Sequence, residues 1–311
     1  MINFCTYFDK NYLSKFINLK SSLDKFSFKH TFYILCLDDF VFDFFKKNNF
    51  ENIITITLKE IEDEYNELLL AKNDREKIEY YFTLSPFLPK YIFEKKGINQ
   101  ISYLDSDFYF FKNPEKLIQS NIDCSVTLIQ QNADQKYGQY NVGWIYFNFD
   151  YDETINIVDL WGNQCLNECS DMPNKNSYAD QKYLDTWITQ LKFIKIFQPE
   201  HTCLSPWDSN LILEESKNTM IAFHYHGLEK FDNKFSSGFH RFNKKNTKKI
   251  IDRIYIPYVK NLILIERKYN LKSLSIRSHR KKIFSKYLIK IRNLKSSIKK
   301  IYYNDYYECK L

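Results

Sequence analysis

"ISYLDSDFYFFKNP", residues 101–114, carries an apolar run into two aspartates, Asp105 and Asp107, and then into four consecutive aromatics. Read as a buried strand ending at Asp105, it sets the carboxylates at the carboxyl edge of a sheet, where ligands of open α/β folds collect. In extended backbone, residues i and i+2 point the same way, so Asp105 and Asp107 face one site with Ser106 turned aside. Two carboxylates this close repel each other unless a cation lies near. Oxygen ligands of this kind suit Mg²⁺ or Mn²⁺, with coordination positions left for phosphate oxygens. In isolation the same residues also describe a solvated acidic turn, so the rest of the chain decides.

Before this stretch, strand-like and helix-like patterns alternate: "INFCTYF", a helical "NYLSKFINLKSSLDKF", "HTFYILCLDD", a helical "FVFDFFKKNN" and "FENIITITL". A long helical stretch then runs from about Ile61 through "LPKYIFEKKG", interrupted near Pro86 and Pro89, with Gly97 placed to end it. This is the rhythm of βαβ units and a mainly parallel sheet.

At 311 residues the chain is one large domain or a domain with an appendage. It has only 6 glycines, so each marks a position where the backbone demands one. Seven cysteines, at 5, 36, 124, 165, 169, 203 and 309, contain no CxxC pair, which indicates neither a disulfide framework nor a zinc site. No 18-residue apolar stretch occurs, and the N-terminus enters a strand-like run without a basic region or cleavage site. We expect a cytoplasmic, reduced protein with no membrane span. The net charge of +7 hides a division. Residues 241–311 hold 21 Lys and Arg against 4 Asp and Glu, a net of +17, while residues 1–240 hold 24 against 34, a net of −10. We therefore expect a catalytic unit over 1–240 and a basic, mainly helical region over 241–311, with different partners.

A second chemical cluster follows in "IAFHYHGLEKF", residues 221–231. A short strand delivers His224 and His226 on one side, and a scarce glycine, Gly227, precedes Lys230. Imidazole is the commonest nitrogen ligand, and a lysine three residues past a glycine turn can reach a phosphate that a metal also holds. By itself the pair also fits two hydrogen-bonded histidines at a strand edge.

Taken in order, "YLDSDFYFFKNP", "YNVGWIYFN", "YADQKYLD" and "HYHGLEKF" resemble the motifs of family 8 nucleotide-sugar glycosyltransferases and their bacterial relatives from surface-polysaccharide clusters. The resemblance covers roughly residues 1–235. It implies the A-type glycosyltransferase fold, a Rossmann-like α/β/α sandwich, followed here by the basic C-terminal extension. It implies that Asp105, Asp107 and His224 bind the metal, Mn²⁺ or Mg²⁺, that Asp107 also lies near the donor and Asp105 also contacts it, and that Lys230 holds its diphosphate. "TYFDKNY" would cradle the base, with Asp9 on the uracil edge and Tyr12 stacked on its face; a polar, aromatic loop after the first strand is independently where a mononucleotide lies in such a sheet. Asn141 and Gly143 precede an apolar strand, and the bare glycine would let a sugar approach the backbone. Asp180 and Gln181 open an amphipathic helix, where Asp180 would bind sugar hydroxyls and Gln181 lie near the reacting carbon. Thr6, Ser106, His226 and Gly227 complete the donor-binding set.

Two positions depart from the family pattern. An arginine is common on the helix before the DxD, and here Phe82 stands near that place; Arg75, seven residues earlier and so on nearly the same helical face, is the expected substitute. The closing motif ends Lys230-Phe231 rather than Lys-Pro-Trp, with Trp207 and Asp208 of "LSPWDSN" supplying a nearby aromatic and acid.

The resemblance implies a metal-dependent, retaining transfer of sugar from a nucleotide donor, most simply UDP-linked, to a hydroxyl of a capsule or lipooligosaccharide glycan. Asp180 or Asp208 would serve as base in an inverting route. A nucleotidyltransferase and a non-catalytic sugar-nucleotide binder are the alternatives. In the basic region, Ile283, Phe284, Tyr287, Leu288, Ile291 and Leu294 recur at helical spacing among lysines. That pattern suits a helix lying on the inner face of the cytoplasmic membrane, beside a lipid-linked acceptor, better than a nucleic-acid arm.

Overall fold

The computed structural model describes residues 1–208, 211–212, 219–231, 234–238, 247–271 and 306–309. Its strands are β1 (Ile2–Phe8), β2 (His30–Cys36), β3 (Ile53–Thr57), β4 (Gln100–Leu104), β5 (Phe108–Phe110), β6 (Val126–Gln130), β7 (Tyr140–Asn148), β8 (Ile194–Phe197), β9 (Cys203–Leu204) and β10 (Ala222–His224), followed by β11 (Glu229–Phe231), β12 (Lys234–Ser236) and β13 (Tyr306–Glu308), which form an antiparallel sheet of their own. Seven of them form one sheet in the order β3-β2-β1-β4-β7-β6-β8. Neighbours are parallel except around β7, which runs against both β4 and β6. The sheet is mainly parallel, as expected. Asn141 and Gly143 lie within β7 rather than before it, because pairing with β6 reaches Tyr140 past a register shift between Thr127 and Ile129.

Alternation along the strands feeds two cores. On one face Leu35, Ile56, Ile101, Leu128 and Phe147 meet Phe87, Leu88 and Trp161. On the other, Phe4, Phe8, Phe32, Leu104 and Trp144 meet Leu13 and Phe16 of α1 (Leu13–Leu23) and Val41 and Phe45 of α2 (Asp39–Asn48). The result is an α/β/α sandwich.

The helical stretch before the DxD is four helices: α3 (Leu58–Glu64), α4 (Glu67–Asp74), α5 (Lys77–Thr83) and α6 (Phe87–Lys96). Each division has a local cause. Thr57 and Glu60 make a reciprocal cap that starts α3, Glu76 and Glu79 make a second one that restarts the chain as α5, and Gly97, at φ +66°, closes α6. Next come α7 (Glu115–Gln119) and α8 (Asp152–Asn167).

A smaller sheet sets β10 between β5 and β9 and so folds the His224 strand back onto the DxD strand, with His224 opposite Phe108. Behind it, Leu204, Phe223, Tyr225 and Leu228 share a core with Tyr255, Tyr258, Val259 and Leu262. The last three belong to α9 (Ile256–Lys268). This helix lies on α1: Asn18 Nδ2 donates to the Tyr258 carbonyl at 3.4 Å, and Ser14 Oγ donates to Glu266 at 3.3 Å. Residues on both sides of position 240 thus pack together. The apolar stripe from Ile283 to Leu294 lies outside the described residues. No helix among the described residues is long and apolar enough to cross a membrane.

Candidate active site

Three elements converge at the carboxyl edge of β4. Asp105 follows β4 directly, and its backbone N–H donates to the Gly143 carbonyl at 2.8 Å, which ties it to β7. Asp107 lies one residue before β5, and its carbonyl accepts from Tyr225 N at 3.0 Å, so the DxD and the closing motif are tied through backbone. His224 arrives at the end of β10, stacked on Phe108 with ring centroids 4.6 Å apart. Its Nε2 is 3.2 Å from Asp107 Oδ1 and 3.5 Å from Asp105 Oδ2. One ligand atom from each of Asp105, Asp107 and His224 lies within 4.8 Å of the others, a group that could hold a metal ion. Two carboxylate oxygens and one imidazole nitrogen fit Mn²⁺ or Mg²⁺.

A cation of the chain's own also occupies this place. Lys15, on the first turn of α1, is buried with Nζ 3.4 Å from Asp107 Oδ2 and 4.0 Å from the centroid of the Tyr12 ring. Burial pushes the Asp107 carboxyl upward, but the Lys15 ammonium and the His224 imidazole outweigh it and hold the group well below the usual carboxylate range. Asp105 moves the other way, raised by burial and by the Asp107 charge against the pull of His224. The His224 imidazole, though penalised by burial, is raised by Asp107 and Asp105. Lys15 was not singled out in the sequence. The signal was its place three residues after Tyr12, one turn on along the same helical face.

A line of buried and half-buried polar groups leads from Asp105 to Asp180. Tyr103 OH donates to Asp105 Oδ1 at 2.9 Å, the Tyr103 and Tyr7 rings are 5.8 Å apart, Tyr7 OH and Ser85 Oγ share a 2.9 Å hydrogen bond, and Ser85 donates to Asp180. Tyr103 was legible as the i−2 neighbour of Asp105 on one strand face; Tyr7 and Ser85 carried no signal. Burial pushes the Asp180 carboxyl up to about 7 against the Ser85 hydrogen bond. Asp208 is likewise raised to about 6 by burial, while Asn132 and the Ser205 N–H hydrogen-bond to it.

Asp180 has a consequence for stability. An unfolded aspartate releases its proton near pH 4. Between about pH 4 and the raised folded value, the folded chain binds more protons than the unfolded one, so stability falls as pH rises through that window; below pH 4 the penalty is absent. Asp180→Asn removes it. We expect this variant to be more stable than wild type at pH 8, by on the order of 3 kcal/mol, and equal to it near pH 4. Thermal melts at both pH values check this, and equal melts at pH 8 would refute it.

The remaining expected site residues are distributed as follows. Asp9 is buried beside Lys77, 3.5 Å away, and accepts the Asn11 N–H. Thr6 is fully buried on β1, and Ser106 is buried between the two carboxylates. Asn141 Oδ1 accepts the Gly143 N–H at 2.9 Å, and its Nδ2 donates to Ser205 at 3.4 Å. The space beside Gly143 is taken: an added Cβ would lie 2.9 Å from Asp105 Oδ2, 2.9 Å from Phe108 Cε2 and 3.0 Å from Asn141 Oδ1. Gln181 spends both ends of its amide on backbone, accepting from Val142 N at 3.2 Å and donating to the Tyr137 carbonyl at 2.8 Å. It opens a 3-10 helix, Lys182–Thr189, rather than an α-helix. His226 is exposed, its ring 5.4 Å from Trp207 and 5.6 Å from His224, and Gly227 takes φ +75°. Lys230 donates to Glu266 of α9 at 2.7 Å.

Arg75 needs a correction. It does not share a helical face with Phe82, because α4 ends at Asp74 and the cap at Glu76 starts a new helix. Its guanidinium donates to Thr83 and to the Cys165 and Leu166 carbonyls, at the carboxyl end of α8 where the helix dipole favours a cation.

No family model matches the chain. Among curated proteins it is similar to YfnF of Bacillus subtilis (strain 168), 26% identical over 250 residues that cover 72% of this chain and 80% of YfnF. Among solved structures it is similar to mouse xyloside xylosyltransferase 1 in its apo form, with a TM-score of 0.52 and 12% identity over 73% of this chain and 98% of that one. It is also similar to the galactosyltransferase LgtC in complex with donor and acceptor sugar analogues, with a TM-score of 0.52 and 14% identity over 84% of this chain and 95% of that one. The fold is that of the A-type glycosyltransferases.

Proposed function

We propose that this chain is a divalent-metal-dependent glycosyltransferase, moving a sugar from a UDP-linked donor to a hydroxyl of a bacterial surface glycan with retention of anomeric configuration. The observation that carries the proposal is the convergence of Asp105, Asp107 and His224 at the carboxyl edge of a sheet with the A-type fold. When held by those three side chains, Mn²⁺ or Mg²⁺ supplies positive charge against a departing diphosphate. Lys230 exchanges Glu266 for a phosphate oxygen. Asp9 takes the uracil edge and Tyr12 the ring face, while Asp180 and Gln181 hold the sugar and its reacting carbon. In front-face attack the leaving phosphate accepts the acceptor's proton, so the chain supplies charge and orientation rather than a base.

One observation favours an inverting alternative. Asp180 and Asp208 are buried carboxyls raised toward neutrality, the tuning that a general base needs. Nucleotidyltransferase chemistry is less well supported, since the loop Asp9-Lys10-Asn11-Tyr12 after β1 has no glycine to cradle phosphate. Nucleotide sugars screened for slow hydrolysis with Mn²⁺, with NMR of the released anomer, identify donor and stereochemistry together. Hydrolysis of none of them, with UDP stabilisation that needs no metal, would instead mark a non-catalytic sugar-nucleotide binder.

The basic region 241–311 would carry the enzyme to an anionic leaflet and a lipid-linked acceptor. Replacing Lys281, Lys282, Lys286, Lys290, Arg292 and Lys295 by Gln, which leaves in place the strand Tyr306–Glu308 that pairs with Lys234–Ser236, is expected to abolish sedimentation with anionic vesicles and spare transfer to a short soluble acceptor. A full-length chain that ignores such vesicles at low salt would overturn this assignment.

A further inference from the structure

We propose that Lys15 is a built-in cation of the diphosphate site, opposing metal binding when no nucleotide is present and holding nucleoside diphosphate together with the metal when one is. The inference rests on the nucleotide-sugar function proposed above.

Lys15 extends from the first turn of α1 into the cluster, and its side chain is only 10% exposed. The two oxygens of Asp107 are divided, with Oδ2 3.4 Å from the Lys15 ammonium and Oδ1 3.2 Å from His224 Nε2. The ammonium also lies 4.0 Å from the centroid of the ring of Tyr12, the side chain assigned to the base. A buried ammonium is expensive to desolvate, and both groups that compensate it here, Asp107 and Tyr12, belong to the candidate nucleotide site.

Two consequences follow from charge alone. A dication entering beside Asp107 meets a like charge that solvent screens poorly, so Lys15 weakens the affinity of the empty site for metal. A diphosphate reverses the sign, because ammonium and dication are then attracted to one anion and neutralise it together. Lys15 also leaves the site able to hold a diphosphate, more weakly, without any metal.

Lys15→Met keeps the aliphatic stem and removes the charge. Mn²⁺ binding without nucleotide is read by electron paramagnetic resonance of the free ion, and UDP binding in excess EDTA by calorimetry. Relative to wild type, the variant is expected to bind Mn²⁺ roughly tenfold more tightly and metal-free UDP roughly tenfold more weakly, with Lys15→Arg restoring both. If Lys15→Met fails to fold, Lys15→Gln is read the same way. Neutral variants whose Mn²⁺ affinity is not raised, or whose metal-free UDP affinity is not lowered, overturn the inference while the glycosyltransferase proposal stands. A wild-type chain that binds neither Mn²⁺ nor UDP under any condition overturns both.

Discussion

Asp107→Ala is expected to lower sugar transfer by roughly a thousandfold or more and to abolish Mn²⁺-dependent UDP binding. Asp107 is the most heavily engaged carboxylate of the site, between Lys15 and His224 and within reach of the other metal-ligating atoms. Its removal deletes a metal ligand and leaves a buried ammonium without its carboxylate. The variant should therefore also lose stability, about 3 kcal/mol, because breaking a buried pair strands the remaining charge. Turnover and nucleotide binding are measured with a thermal melt that confirms a folded sample. Undiminished wild-type turnover in excess EDTA, or a folded Asp107→Ala enzyme that still transfers sugar, would remove the metal from the mechanism.

Gly143→Ala is the second large effect, and it needs no change to any ligand. The new methyl would press on Asp105 Oδ2 and Phe108 Cε2, both at 2.9 Å, and Phe108 is the ring on which His224 stacks. The Asn141 amide oxygen at 3.0 Å closes the third side. Room for the methyl requires both the Asp105 carboxylate and the Phe108 ring to give way, which disturbs Asp105 directly and His224 through its stack on Phe108, two of the three groups of the candidate metal site. We expect a loss of about 1–3 kcal/mol in stability from overpacking. We also expect metal affinity to fall on the order of tenfold to a hundredfold, the usual effect of disturbing groups that orient ligands. Turnover should recover partly at high Mn²⁺, which separates lost affinity from lost chemistry. Wild-type Mn²⁺ dependence in this variant would show that the cluster is not the metal site.

The parts that were legible in the sequence are those where one local pattern admits one geometry. Asp105 and Asp107 face one site because period 2 leaves an extended chain no other choice, and the βαβ rhythm predicted the mostly parallel sheet, while the sandwich was implied by the family resemblance. The reversal of β7 was not legible, since a strand buried on both faces reads as the same apolar run in either direction. Arg75 was misplaced because helical periodicity continues through it, while the break depends on Glu76 and Glu79 capping each other across one turn. Lys15 was not singled out, because nothing in the local helical pattern separates it from the other lysine of α1. α1 packs on β5, where the Phe110 N–H donates to Ser22, and on α9, where Asn18 donates to the Tyr258 carbonyl; these partners lie 88 and 240 residues apart along the chain, and no local window contains them all.

The distance between those partners along the chain also sets when the site can exist. Asp107 and Lys15 are 92 residues apart, whereas His224 is translated more than 100 residues after Asp107. A nascent chain emerging at about 5–20 residues per second can pair β1 with β2 and add β4 while the imidazole is still inside the ribosome. During that interval the two aspartates are on the chain without their nitrogen ligand, and Lys15 is the cation available to neutralise Asp107. A metal ion held by all three side chains would therefore join a sheet whose strands have already been translated, and would stabilise the finished fold rather than template an early intermediate.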